Sequence, residues 1–297
     1  MRLSLVLCVL ALVLSACTSR TEQAPVPVRT ASLSQSAGIT DAPREFTDVM
    51  AYARAQRLHE RPLGEIMQIV GERFKGKPYM AGLLDEPAEE VLVCRLDGFD
   101  CVTFVETALA MARGIAEQDY SYETFQRYVT DTRYRGAEMD GYCSRLHYWT
   151  EWILDNEIRG NVEDITAELG GTRLNKKINF MTTHRDLYPR FATNNEVYAC
   201  VQQMEERIGN AEFHYIPKDR IRAVYDQLQA GDIIATATSI PGLDVSHTGL
   251  VYDAGNGKKG LLHASTSGGV KVSPDLQDYV QNNSKLIGIV VVRPVSL

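Results

Sequence analysis

The stretch that most constrains the fold is Asp97-Gly98-Phe99-Asp100-Cys101-Val102-Thr103-Phe104-Val105-Glu106, continuing through Thr107-Ala108-Leu109-Ala110-Met111-Ala112. Gly98 and Asp100 read as a turn and an N-cap. Apolar residues then recur at 101, 104, 105, 108, 109, 112 and 115, so one face of a helix must meet a core. A cysteine falls in the first turn, where unpaired amide N–H groups and the positive end of the helix dipole favour thiolate over thiol. Free cysteine is also among the most buried residue types. This stretch by itself leaves a nucleophile and a structural thiol equally open.

The chain has 297 residues, 44% of them hydrophobic. A chain of this length buries roughly three quarters of its unfolded surface, which suits one large domain or a core with an inserted region. A net charge of −7, without clustered Lys and Arg, excludes nucleic acid as a partner. Met1-Arg2 followed by the small and apolar run 3–14 has the length of an export signal and is too short to span a bilayer. Leu14-Ser15-Ala16-Cys17 resembles the bacterial lipobox. The resemblance implies a signal peptide over 1–16, cleavage before Cys17, and a membrane anchor through diacylglycerol on that cysteine. Thr18 rather than Asp in the next position resembles lipoproteins sorted to the outer membrane of a Gram-negative host, facing the periplasm. Residues 17–40, rich in Ser, Thr, Ala, Pro and Gln, read as a flexible tether, and 41–297 as the folded domain.

Cys8 leaves with the signal, so the mature domain keeps Cys94, Cys101, Cys143 and Cys200. An oxidising compartment allows pairing among them. If Cys101 is catalytic, no disulfide includes it and at least one of the other three is free. There is no C-x-x-C pair and the six histidines are scattered, so no metal site is expected.

Along the chain, helical patterns cover 42–57 and 62–74, followed by the turn-rich Gly76-Lys77-Pro78-Tyr79 and a short strand-like run at 91–94. Beyond the cysteine helix, 121–130, 145–158, 194–208 and 218–229 read as helices, the last entered through Ile216-Pro217, while 160–192 is mixed. Strand patterns then dominate, at 231–236, 245–252, 260–265, 269–272 and 287–292. Helices followed by an antiparallel meander give an α+β domain.

A nucleophilic cysteine needs a base to take its proton and a third polar group to orient that base. His247 and His263 lie 16 residues apart on what reads as a hairpin pair. Adjacent strands run about 5 Å apart, so the two rings can touch. His59, His184 and His214 read as structural.

At this point the order of motifs resembles that of the NlpC/P60 cell-wall cysteine peptidases. The motifs are Gly76-Lys77-Pro78-Tyr79, Asp100-Cys101, Gly231-Asp232-Ile233, Ser246-His247-Thr248-Gly249-Leu250-Val251 and Leu262-His263-Ala264-Ser265. Val102-Thr103 stands where ordinary members have Ser-Gly, and a long region, about 118–230, is inserted. These departures, with Asn179-Phe180-Met181-Thr182-Thr183-His184 and Gly242-Leu243-Asp244-Val245-Ser246-His247, resemble the DUF1460 branch of N-acetylmuramoyl-L-alanine amidase-like proteins.

The resemblance implies a papain-like α+β core with its nucleophile at a helix N-terminus packed on an antiparallel sheet. Cys101 would be the nucleophile, His247 the general base and acid, and His263 the orienting residue, with no cofactor. Tyr79 would line the site. By its helix-start position, the Cys101 backbone N–H either receives the oxyanion or is simply capped by water. The substrate would be peptidoglycan or a muropeptide, cut at the N-acetylmuramoyl-L-alanine amide. Cleavage between D-glutamate and diaminopimelate by an endopeptidase, and a non-catalytic wall-binding lipoprotein, are the alternatives.

In the inserted region, Arg145 and Tyr148 share a predicted helix face with Trp152. Such a face is either core with a solvated charge or a substrate wall in which Arg145 pairs with a carboxylate and an aromatic ring stacks on sugar. Asp244 either braces the entry to the His247 strand or reflects turn chemistry.

Overall fold

A computed structural model describes residues 42–87, 89–255 and 257–296. The expected signal peptide, Cys17 and the tether lie outside the described residues. In chain order the elements are α1 (Arg44–Ala55), α2 (Leu63–Arg73), α3 (Cys101–Ala116), α4 (Tyr122–Arg133) and α5 (Trp149–Ile158), then β1 (Val162–Asp164) and β2 (Thr172–Arg173). Next come α6 (Phe180–Thr183), α7 (Pro189–Ala192), α8 (Asn195–Ile208) and β3 (His214–Pro217). The chain ends with β4 (Ile233–Thr238), β5 (Val245–Asp253), β6 (Lys259–Ser265), β7 (Gly269–Ser273), α9 (Leu276–Gln281) and β8 (Leu286–Pro294). No described helix is long and apolar enough to cross a membrane.

The sheet runs β2-β3-β8-β4-β5-β6-β7 with β1 also on β8, and its strand pairs are antiparallel. The architecture is α+β. Strands β4 to β7 form the expected meander. β8 instead returns to the far edge of β4, reached through α9, which hydrophobic periodicity alone does not announce.

Alternation along the strands splits the core. Ile233, Leu250, Leu262 and Val290 face α1 to α4, whereas Ile234, Val251, Leu261 and Val291 face α9 and the 3-10 helix Ile221–Gln227. A third apolar cluster, from Tyr142 and Tyr148 to Phe191, Val201, Met204 and Ile208, is built within the inserted region, where a disulfide joins Cys143 to Cys200. Cys94 and Cys101 are free.

Helix α3 is buried on all sides from Thr103 to Ile115, more than its apolar periodicity implies. The polar residues on its remaining face are neutralised internally, Glu106 by Arg133 at 2.7 Å and Arg113 by Asp131 at 3.2 Å. The helix that presents Cys101 is thereby the centre of the domain rather than a surface element.

Three predicted elements differ. Residues 91–94 form no strand, because side chains take their carbonyls: Arg133 donates to Val93 O at 2.6 Å and Tyr122 to Cys94 O at 3.4 Å. The helix expected over 145–158 starts only at Trp149, since Arg145 bridges Tyr134 and the Leu146 N–H donates to Arg133 O. Ile216 and Pro217 pair with Ile289 and Gly288 of β8 instead of opening a helix, and the turns after them are 3-10.

Candidate active site

Helix α3 starts at Cys101 because Asp100 caps it. Its carboxylate accepts the Thr103 N–H at 2.8 Å, and the Thr103 hydroxyl accepts the Asp100 N–H at 3.0 Å. The Gly76–Tyr79 segment is strapped alongside, with Phe99 N–H donating to Pro78 O and Met80 N–H to Phe99 O. This sets Tyr79 next to the helix start. Burial, the Cys101 thiol and Asp100 together push its hydroxyl up to about 12. From the sheet, the Thr248 hydroxyl donates to the Cys101 carbonyl at 2.8 Å.

Burial pushes the Cys101 thiol up to about 11, with the Asp100 carboxylate adding to it, and the Thr248 N–H and hydroxyl offset this only in part. The expectation of a helix-start thiolate is therefore corrected: removal from water raises the thiol more than its hydrogen bonds lower it. In the resting protein the sulfur carries its proton.

The two histidines do meet. His247 Nε2 lies 2.6 Å from His263 Nδ1, with the rings edge-to-face at 4.9 Å. The pair is possible because Gly249 leaves room: a Cβ there would stand 2.9 Å from His263 Cβ and from Leu262 O. His263 is 0% exposed, and its Nε2 lies 3.0 Å from Ser273 Oγ. The Tyr279 ring closes over both imidazoles, at 5.0 Å from His263 and 6.0 Å from His247. Burial holds His247 down at about 4. It holds His263 at about 3, with His247 and Lys271 adding to the effect. Both rings are neutral at rest.

A cavity of about 340 Å³ opens over this centre, lined by Cys101 and His247 together with Asp85, Tyr142, Tyr148 and Tyr188. His263 stands behind His247, away from the cavity. Such a site offers a neutral thiol and a neutral imidazole to one cavity, the imidazole backed by a second one that can accept its N–H. That is the equipment of acyl transfer to sulfur.

The other predicted residues have different jobs. Arg145 is 4% exposed and engaged by Asp85, by Leu84 O at 2.6 Å and by Glu90 at 3.6 Å, so its charge is neither solvated nor free for a substrate carboxylate. It fastens the segment bearing Asp85 to the cavity wall. Neither Arg145 nor Tyr148 lies on the predicted helix face, because α5 begins after both. The Tyr148 hydroxyl accepts the Met181 N–H and donates to Glu205, each at 2.8 Å, which leaves only its ring to the cavity. Asp244, 1% exposed, accepts the Thr150 N–H and hydroxyl at 2.8 and 2.9 Å and the Val245 N–H at 2.7 Å. It clamps the first turn of α5 to the start of β5 at the edge of the cavity. His184 stacks on Phe180 at 4.0 Å, outside the site.

With this geometry in view, comparisons with known proteins are informative. Residues 69–289 match the family model AmiA-like, described as N-acetylmuramoyl-L-alanine amidase-like. The chain belongs to this family. It is similar to the crystal structure of an N-acetylmuramoyl-L-alanine amidase from Bacteroides uniformis, with 34% identity and a TM-score of 0.75 over 79% of this chain and 99% of that one. A Bacteroides fragilis protein provisionally named a xylanase has 37% identity and a TM-score of 0.70, over 75% and 98%. A Legionella pneumophila protein of family model DUF1460 shares the fold at 22% identity and a TM-score of 0.63, over 84% and 94%. No curated protein matches the chain.

Several residues around this centre escape sequence reading. Thr248 was legible only as a neighbour of His247. Tyr279 sits on α9, a six-residue helix whose one signal is the Asp275 N-cap, accepting the Asp278 N–H at 3.0 Å. Ser273 carried no signal, since its relation to His263 depends on the register of β6 and β7.

Proposed function

We propose that this protein is a cysteine-dependent peptidoglycan amidase that cleaves the bond between N-acetylmuramic acid and L-alanine. The observation that carries the reading is the 2.6 Å contact of His247 with His263, beside a cavity that His247 and Cys101 both line. Family membership and the likeness to the amidase from B. uniformis support the choice of bond. On this reading the core is of the NlpC/P60 type in its DUF1460 form, the inserted region shapes the substrate cleft, and Cys17 carries a lipid that holds the enzyme at the periplasmic face of the outer membrane.

The reaction starts from neutral partners. His247 takes the Cys101 proton as sulfur attacks the lactyl carbonyl carbon, and the imidazolium so formed donates from Nε2 to His263 Nδ1. The tetrahedral oxyanion is received by the Cys101 N–H and the Tyr79 hydroxyl. His247 returns the proton to the L-alanine nitrogen, the C–N bond breaks, and the free peptide leaves a thioester on Cys101. Water, deprotonated by His247, attacks the thioester carbonyl. The muramic acid carboxyl is released and the thiol recovers its proton. A glycosidase chemistry has no comparable support, because the cavity's three described carboxylates are engaged, Asp100 by the helix cap, Asp85 by Arg145 and Asp244 by Thr150 and the Val245 N–H.

Mass spectrometry of a muropeptide digest tests the reading. Sugar and intact stem peptide as separate products support it. Fragments cut inside the peptide overturn the bond assignment in favour of an endopeptidase, and no turnover overturns the enzymatic reading.

A further inference from the structure

We propose that Ser273 is a positioning residue that fixes the tautomer of His263 and thereby sets how well His247 works as a base. The inference rests on the Cys-His-His reading above and deepens it.

A neutral imidazole has one N–H. To stabilise a protonated His247, His263 must accept at Nδ1, across the 2.6 Å contact, and so must carry its own proton on Nε2. His263 is fully buried, so that Nε2–H needs an acceptor. Ser273 Oγ is at 3.0 Å. The opposite tautomer, with the proton on Nδ1, would point an N–H at His247 Nε2 and drive the His247 proton onto Nδ1, leaving that ring no lone pair for the thiol.

The sheet register makes the arrangement structural rather than incidental. His263 lies directly across from Lys271, and Ser273 is two residues further along β7 on the same face. The charged and titratable groups around His263 are Lys271 from β7, His247 from β5 and Tyr279 from α9. None of them offers an acceptor to Nε2 in the structure. Lys271 Nζ is turned to Ser267, donating to its carbonyl and hydroxyl at 2.9 Å. Ser273 borders a separate cavity of about 440 Å³ with Tyr279, Asp275 and Asn282 and does not line the substrate cavity. Its effect must therefore pass through His263.

The test uses the full chain with 15N-labelled histidine. In the wild type, nitrogen shifts should report His263 protonated on Nε2 and unprotonated on Nδ1. Ser273→Ala should populate the Nδ1–H tautomer and lower kcat about tenfold, the worth of one buried neutral hydrogen bond, with KM unchanged. Ser273→Thr, which keeps the hydroxyl, should restore both the spectrum and kcat. A wild-type His263 protonated on Nδ1, or a Ser273→Ala protein with unchanged tautomer and kcat, overturns the proposal. The spectra need no substrate, so they decide the role of Ser273 even if the digest overturns the amidase reading.

Discussion

The hydroxyl of Thr248 donates to the carbonyl of Cys101 at 2.8 Å, which ties the first residue of α3 to the strand position next to His247. Thr248 and His247 are neighbours on β5, the first bonded to α3 and the second in contact with His263 and close to the Tyr279 ring. One hydrogen bond thus fixes the spacing between the two halves of the site. Thr248→Val keeps the shape and removes it. The expected result is a loss of kcat/KM of about 10²-fold, the scale of a misplaced catalytic group, with stability reduced by roughly 1 kcal/mol for the lost hydrogen bond. Steady-state kinetics beside urea denaturation check it, and kinetics like the wild type would refute it.

The pH dependence follows from burial. His247 at about 4 and His263 at about 3 lie below the usual imidazole value, so the folded state binds protons less readily than the unfolded chain. Their contribution to stability is complete above about 6.5 and is lost as pH falls through 6.5 toward 4. Melting temperature should drop across that window, and should drop less in His263→Gln. For kcat/KM, the neutral thiol and neutral imidazole give a plateau bounded by the base at about 4 and the thiol at about 11. An acid limb at 6.5 or above would contradict this.

Gly249→Ala tests whether the histidine pair needs its present geometry. The added methyl would meet His263 Cβ and Leu262 O at 2.9 Å, and β6 backbone cannot yield cheaply. Activity should fall by about 10²-fold or more with the fold retained, as read by kinetics and circular dichroism.

The Cys143–Cys200 disulfide closes a loop of 57 residues that carries the cavity wall. In the chain-entropy description this contributes about 4 kcal/mol. The Cys143→Ser/Cys200→Ser pair should lower stability on that scale and raise KM more than it lowers kcat, because Tyr142 and Tyr188 line the cavity from the cross-linked region while Cys101 and His247 are carried by α3 and β5 outside it. Chemical denaturation and kinetics on muropeptides measure both.

Much of this was legible in the sequence because it rests on local rules. The cap at Asp100, the strand patterns at His247 and His263, and the glycine between them follow from N-cap chemistry and period-two alternation. What was not legible depends on distant partners. Arg145 reads as a free cation until Asp85 and Glu90 are brought against it from 55 or more residues away. The thiol reads as acidic from its helix position, and only the packing around α3 shows that burial decides its protonation. Ile216-Pro217 reads as a helix entry by local preference, but the β8 edge claims it.

The central claim is that Cys101 is the nucleophile, and its most direct measurement is stem-peptide release from a muropeptide by the wild type and by Cys101→Ala in parallel, with folding of the variant verified by thermal melting. The account predicts a loss of about 10⁴-fold or more with an intact fold. Release by a folded Cys101→Ala protein at a rate near the wild type's would contradict it.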